Sequence, residues 1–359
     1  MKKFIISLLA LAIISANAQQ RAPLREPQSV YKNLEEASSK ITVKPSTNPK
    51  TIVSKEPDNK IALQAANHIG EPEIVALLLV EDGKLIFEGY SKGSTAKDKF
   101  ASLSMAKSIV SLAVGEALCS GKIKNLDDRA DTYAKELENL PIGKTSIRNL
   151  LRMNSGIKTN TMFHGQPFAS AGTDLLLRKT NHLDVIKRYA SEVNAPIKFN
   201  YSNMDTDALN YVIRGSTGSP LSEWVRATVT EKAGFESSSS WAMDNLGVEI
   251  SSSFFFATAL DWARLALHIE KLLINDQDTC MRDYLKSATT KQIDASTSEF
   301  NDYGYQFFIH PKSGPKSSYW MVGFGGQRIA FIPEKRRIMI NFAWSHDTSK
   351  TYTFFNSWN

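Results

Sequence analysis

Leu103-Ser104-Met105-Ala106-Lys107-Ser108 runs directly into Ile109-Val110-Ser111-Leu112-Ala113-Val114-Gly115-Glu116-Ala117-Leu118, and this passage decides how the rest of the chain is read. Val110, Ala113, Val114, Ala117 and Leu118 recur at helical spacing, an amphipathic stripe suited to a buried helix. Positions three apart share a helix face, so Ser104 and Lys107 point the same way from the first turn, away from the stripe. A hydroxyl beside an amine is the smallest kit for a serine nucleophile without histidine. An amine whose pKa is lowered by burial and nearby positive charge can accept the serine proton. The helix N-terminus carries partial positive charge, which favours a serine alkoxide and disfavours a charged lysine. Ser-x-x-Lys also arises by chance and fits an ordinary surface pair; its surroundings give it weight.

Upstream, Ile74 to Val80 is a continuous apolar run, Asp82-Gly83 a tight-turn dipeptide, and Leu85-Ile86-Phe87 the returning strand of a β-hairpin. From about 120 to 245 the chain is rich in helix and loop. Thr145 or Ser146 caps a short helix through Arg148-Asn149-Leu150-Leu151-Arg152, stopped by Asn154-Ser155-Gly156. A further helix is expected over roughly Phe255 to Leu273. Strands are expected at Tyr303 to Ile309, Tyr319 to Val322, Gln327 to Ile332 and Arg337 to Trp344, then a short terminal helix at Tyr352 to Trp358 packed back on the sheet. The hairpin and the late strands together imply an α+β fold: one antiparallel β-sheet flanked by helices, assembled from both ends of the chain, with a mostly helical inserted domain. The sheet part is expected at about 61–119 and 246–359 and the insertion at about 120–245. Ser104 then lies where the two halves meet, a usual place for a cleft.

Lys2 and Lys3 followed by apolar Phe4 to Ile14 and small Ala16-Asn17-Ala18 read as a secretory signal over residues 1–18, too short to span a bilayer. The product is expected to be exported, periplasmic or secreted, with no membrane anchor after cleavage. Residues 19–60, rich in Pro, Ser, Lys, Glu and Asn, read as an extended N-terminal arm or linker before a domain over 61–359. The formal charge is +6, of which the signal lysines carry two, and no basic run suggests nucleic acid. Cys119 and Cys280 are the only cysteines; Cys119 falls on the apolar helix and reads as a small core residue rather than half of a bridge. The histidines show no metal-ligand spacing, so neither a metal nor a cofactor is expected.

With Tyr201-Ser202-Asn203 farther along, the chain resembles the serine β-lactamase/penicillin-binding-protein superfamily. The likeness runs from about Ile74 to Trp344, in the branch of class C β-lactamases, DD-peptidases, family-VIII-type esterases and 6-aminohexanoate-dimer hydrolases. Leu103 to Ser108 fits the nucleophile motif, Gly121-Lys122-Ile123 with Leu126-Asp127-Asp128 the segment after it, and Ile147 to Gly156 resembles the family's Leu-Leu-x-Met-x-Ser-Gly stretch. Tyr201-Ser202-Asn203 fits Tyr-x-Asn, and Ala259 to Arg264 the late helix. The resemblance implies Ser104 as acylated nucleophile, Lys107 as base or proton relay, and Tyr201 as the group that holds the serine proton and delivers one to the leaving group. Asn203 would orient Lys107 or a substrate amide. The oxyanion site would combine the Ser104 N–H with an N–H of the glycine-rich strand through Phe324, Gly325 and Gly326, at Phe324 or Gly326.

One departure bears on substrate. The third family motif carries Lys or His, whereas Met321-Val322-Gly323-Phe324-Gly325-Gly326-Gln327 carries neither. That ending resembles the 6-aminohexanoate-dimer hydrolase and esterase branch, and it removes a partner for the carboxylate of β-lactams and peptidoglycan stem peptides. The expected activity is hydrolysis of a small ester or linear amide, with a DD-peptidase or β-lactamase as alternative and a non-catalytic binding module as a second. Gly89-Tyr90-Ser91-Lys92-Gly93 matches G-x-S-x-G, but the polar stretch after it does not suit the helix that an α/β-hydrolase nucleophile requires.

Overall fold

The computed structural model describes residues 27–91, 93–157, 174–189, 198–274, 277–345 and 347–358. The expected signal segment and the first residues of the arm lie outside them. An eight-stranded antiparallel sheet forms the centre, in the order β3-β2-β12-β11-β10-β9-β8-β7. Its strands are β2 (Ile74–Glu81), β3 (Lys84–Tyr90), β7 (Ile293–Asp294), β8 (Phe300–Tyr303), β9 (Phe308–Pro311), β10 (Tyr319–Gly323), β11 (Gln327–Ile332) and β12 (Arg337–Ala343). The early hairpin therefore joins the late strands, with Val80 opposite Ile338 and Leu78 opposite Ile340. The run predicted as one strand at Tyr303 to Ile309 is two, β8 and β9, separated by a turn in which Gln306 is left-handed at φ 62.

Both faces of this sheet are covered, which is why β2 reads as unbroken apolar sequence. Val75, Leu78 and Val80 join the larger core. Leu77 and Leu79 join a smaller one with Ile61, Trp320, Phe354, Phe355 and Trp358. That outer core is closed by helix α2 (Asn59–Ile69) and the terminal helix α9 (Ser349–Trp358). The larger core holds α3 (Ala106–Cys119), whose residues from Ala106 to Ala117 are all buried. This helix has no solvent face, so its apolar stripe understates its burial.

A second sheet of four strands, order β1-β5-β6-β4, was not legible in the sequence. It comprises β1 (Lys40–Val43), β4 (Lys99–Ala101), β5 (Ser239–Ala242) and β6 (Phe255–Thr258). Phe255–Thr258 is thus a strand, and the predicted helix begins only at Ala259, as α7 (Ala259–Ile274). The N-terminal arm also differs from expectation. Helix α1 (Pro27–Ala37) and β1 belong to the fold, β1 pairs with β5, and Tyr31 is buried. The expected insertion accordingly contributes β5 to a sheet. The short α4 (Ile147–Leu151) is capped as predicted by Ser146, which accepts from the Asn149 N–H.

Cys119 and Cys280 form a disulfide, correcting the expectation of separate core residues. The physical reason is the close packing of α8 (Thr279–Ala288) on α3. A Cβ at Gly115 would stand 2.6 Å from the Tyr284 ring, and the Tyr284 and Ser111 hydroxyls meet at 2.9 Å. The bridge links positions 161 apart, so it strongly restricts the unfolded chain. Replacing both cysteines with alanine is expected to cost roughly 2–4 kcal/mol. Urea unfolding of the two forms measures this; equal midpoints and slopes would refute it.

Candidate active site

Ser104 lies in a single 3₁₀ turn, Leu103–Met105, that leads into α3. Leu103 is left-handed at φ 42, a strained conformation for leucine that neighbouring contacts must hold. Ser102 supplies them. Its N–H donates to Phe255 O at 2.7 Å, and its hydroxyl oxygen accepts the Phe255 N–H at 3.0 Å and donates to Leu103 O at 2.8 Å. The turn is therefore bolted to β6, and it also abuts the end of β10. A Cβ at Gly323 would fall 2.4 Å from Ser102 O, so only glycine allows this approach.

Lys107 is 1% exposed. Its Nζ donates to Ser104 Oγ at 2.9 Å and to Ser252 O at 2.8 Å, and it lies 5.1 Å from the centre of the Tyr201 ring. Burial lowers its pKa to about 7, against an upward pull from Asp207. Burial, rather than neighbouring positive charge, thus makes this amine a base near neutral pH. Asp207 is held by the Ser251 hydroxyl at 2.9 Å and the Ser252 N–H at 3.3 Å, so the same short segment contacts both lysine and carboxylate. His182, on α5 (His182–Tyr189), stands 3.6 Å from Asp207 and 2.7 Å from Asp244. Burial favours its neutral form, but Asp207, Asp244 and Glu249 outweigh that and raise its pKa.

Tyr201 precedes α6 (Asn203–Thr217) and shares a hydrogen bond with Ser104. Burial pushes its phenol pKa up, while Ser104 and the positive charge of Arg328 pull it back. Its backbone is fixed from the Ile147 to Gly156 stretch. Left-handed Met153 (φ 55) accepts the Asn200 N–H at 2.7 Å on its carbonyl, and Ser155 Oγ donates to Asp205 at 2.7 Å. Gln306 then ties α3, α4 and α6 together through Ser108, Leu150, Leu151 and Thr206. Tyr201 stacks on Phe308 and meets Tyr303 edge-on, with Phe199 beside them, so the phenol has an aromatic wall.

The structure thus brings Ser104, Lys107 and Tyr201 into contact. Asn203 starts α6, and the partners of Lys107 among the described residues are Ser104 and Ser252, not Asn203. Phe324, Gly325 and Gly326 form a tight turn between β10 and β11 rather than a strand, with left-handed glycines at φ 78 and 98. Phe324 is 43% exposed and meets Trp344 edge-on. Ser252 and Asp207 were missed in the sequence. Ser252 acts through its backbone carbonyl, which leaves no side-chain signature, and Asp207 sits at an ordinary helix position. Around Ser91 the nucleophile-elbow context fails: after β3 the next element is strand β4, not a helix. Among the described residues, no cluster of His, Cys, Asp and Glu suits a metal, and no helix is long and apolar enough to cross a membrane.

Comparison with known proteins agrees with this fold. The family model described as Beta-lactamase matches residues 72–350. A putative 6-aminohexanoate-dimer hydrolase from Bacillus anthracis superposes with TM-score 0.76 at 19% identity, covering 95% of this chain and 96% of that one. A penicillin binding protein from Bacillus halodurans gives 0.64 at 16%, covering 84% and 100%. EstCE1, a hydrolase with promiscuous acyltransferase activity, gives 0.64 at 13%, covering 82% and 95%. No curated protein matches by sequence.

Proposed function

The chain belongs to the beta-lactamase family, whose members are serine hydrolases, and from that premise we propose that it hydrolyses small esters or linear amides through an acyl-enzyme on Ser104. The observation that carries this is the contact of buried Lys107 with Ser104 and Tyr201. Neutral Lys107 takes the Ser104 proton along their 2.9 Å line as Oγ attacks the substrate carbonyl carbon. The carbonyl electrons move onto oxygen, where the N–H groups of Ser104 and Phe324 receive them. Tyr201 hands a proton to the leaving alcohol or amine and regains one from protonated Lys107, which returns both groups to their starting states. Water then repeats the sequence on the acyl-enzyme, and the acid leaves.

Ester or linear amide is preferred over β-lactam because the loop at Met321 to Gln327 offers no cation. Arg328, which follows it, is 4% exposed and already committed to Gly323 O and Glu299. A charged hydrogen bond to a substrate carboxylate is worth roughly 1.5–3 kcal/mol, or about 10- to 150-fold in rate if made in the transition state. That loss falls on carboxylate-bearing β-lactams and spares neutral esters. We expect kcat/KM for p-nitrophenyl butyrate to exceed that for nitrocefin; a nitrocefin value well above the ester's would replace this reading with a β-lactamase. We also propose that the protein acts outside the cytoplasm on a small-molecule substrate. The disulfide suits an oxidising compartment.

A further inference from the structure

We propose that Arg328 is the positioning residue of the oxyanion site: its guanidinium grips the Gly323 carbonyl and so aims and polarises the Phe324 N–H. This rests on the reading of Ser104 as nucleophile and Phe324 as oxyanion donor.

The Gly323 C=O and the Phe324 N–H are two ends of one planar trans peptide, so they point in opposite directions. Whatever holds the oxygen therefore sets the direction of the hydrogen. Arg328 Nη1 holds that oxygen at 2.6 Å. The next three carbonyls of the turn are anchored as well: Phe324 O by Gln327 Nε2 at 2.7 Å, Gly325 O by the Ser345 N–H at 3.0 Å, and Gly326 O by Asn341 Nδ2 at 3.1 Å. Of these four anchors only the first is charged. A cationic donor makes roughly twice as strong a bond as a neutral one and draws electron density along the amide, which strengthens the N–H at its far end.

The guanidinium is also kept from turning away. Its Nη2 lies 3.2 Å from both oxygens of Glu299, and Glu299 accepts from the Thr348 hydroxyl at 2.7 Å. Arg328 sits on β11 opposite Val322, one residue before Gly323 on the neighbouring strand, so the strand register brings it to the correct peptide. A buried cation in this place acts through the peptide, its charge is also felt by the Tyr201 phenol, and it does not touch substrate.

The test uses the full-length protein and butylboronic acid, which adds to the serine as a tetrahedral anion and fills the oxyanion position, beside butyrate, which does not. Wild type is first treated with a fluorophosphonate; no adduct on Ser104 would overturn the nucleophile reading and this proposal with it. With the adduct present, Arg328→Met is expected to weaken boronate inhibition and lower kcat for p-nitrophenyl butyrate by about 10- to 100-fold, below the loss of a whole oxyanion donor. KM and butyrate inhibition are expected to stay within about twofold, and Arg328→Lys to recover part of the loss. If Arg328→Met does not fold, Glu299→Gln carries the test, with a smaller loss of the same pattern. Boronate affinity unchanged in these variants, or falling equally with butyrate affinity, would overturn the proposal while leaving Ser104 in place.

Discussion

Ser104→Ala is expected to abolish ester turnover, by about 10⁴-fold or more in kcat, while the protein stays folded. The large kinetic effect follows from the place of Oγ between its two partners, Lys107 and Tyr201. Without it there is no acyl-enzyme, and a positioned water recovers little of the rate. The small structural effect follows from what the hydroxyl does otherwise. It receives one bond from Lys107, which keeps Ser252 O at 2.8 Å. Intact-mass measurement after a fluorophosphonate should find the label on the peptide containing Ser104. A label on Ser91, or an unlabelled wild type, would end this reading; the second outcome would mark a non-catalytic member of the fold.

Lys107→Ala and Tyr201→Phe are each expected to lose several orders of magnitude, and the double variant little more than the worse single one. Lys107 lies over the Tyr201 ring and both meet the same hydroxyl, so they form one proton-relay unit, and such units lose most of their effect with the first deletion. A double variant as slow as the product of the two singles would show that they act separately. The pH dependence has a definite sign. Lys107 must be neutral to accept a proton, so kcat/KM should rise through about pH 7 and level off above it. Stability follows from the same shift. Between about 7 and the ordinary value of 10.5, the unfolded chain binds a proton that the folded protein does not. Lys107 therefore penalises folding less and less as pH rises through that window, and its full cost is present below it. An activity profile flat across pH 6 to 8 would remove Lys107 as base.

The parts read correctly from sequence are those whose signals are local. The β2–β3 hairpin was legible because an apolar run, a tight-turn dipeptide and a return strand sit within one short stretch. Ser104 and Lys107 share one helical turn, so spacing alone placed them together. The misses depend on distant partners. Tyr31 looked like part of a polar arm, yet its hydroxyl shares its one proton between Gln327 Oε1 and Ala343 O, 296 and 312 positions away. Phe255–Thr258 read as the start of a helix because the apolar run continues into Ala259. Only pairing with β4 and β5 makes it a strand. The cysteine bridge is a product of how α8 crosses α3, and the glycine-rich segment became a turn because Gly325 and Gly326 adopt left-handed φ. Burial and nearby positive charge were both expected to lower the Lys107 pKa; burial alone does so, a quantity that spacing does not report.

The pairing of β2 with β12 has a consequence during synthesis. β2 is among the first strands to leave the ribosome, and the partner for one of its edges arrives almost at the end of the chain, as in the Arg337–Glu81 pair that closes a span of 256 positions. Until then a strand that is apolar from Ile74 to Val80 presents an open backbone edge, the kind of surface to which other chains add. Contacts over such spans make for slow folding. A chain that ends after β2 but before β12 is therefore expected to aggregate rather than to form a smaller hydrolase, because nothing in it covers that edge of β2.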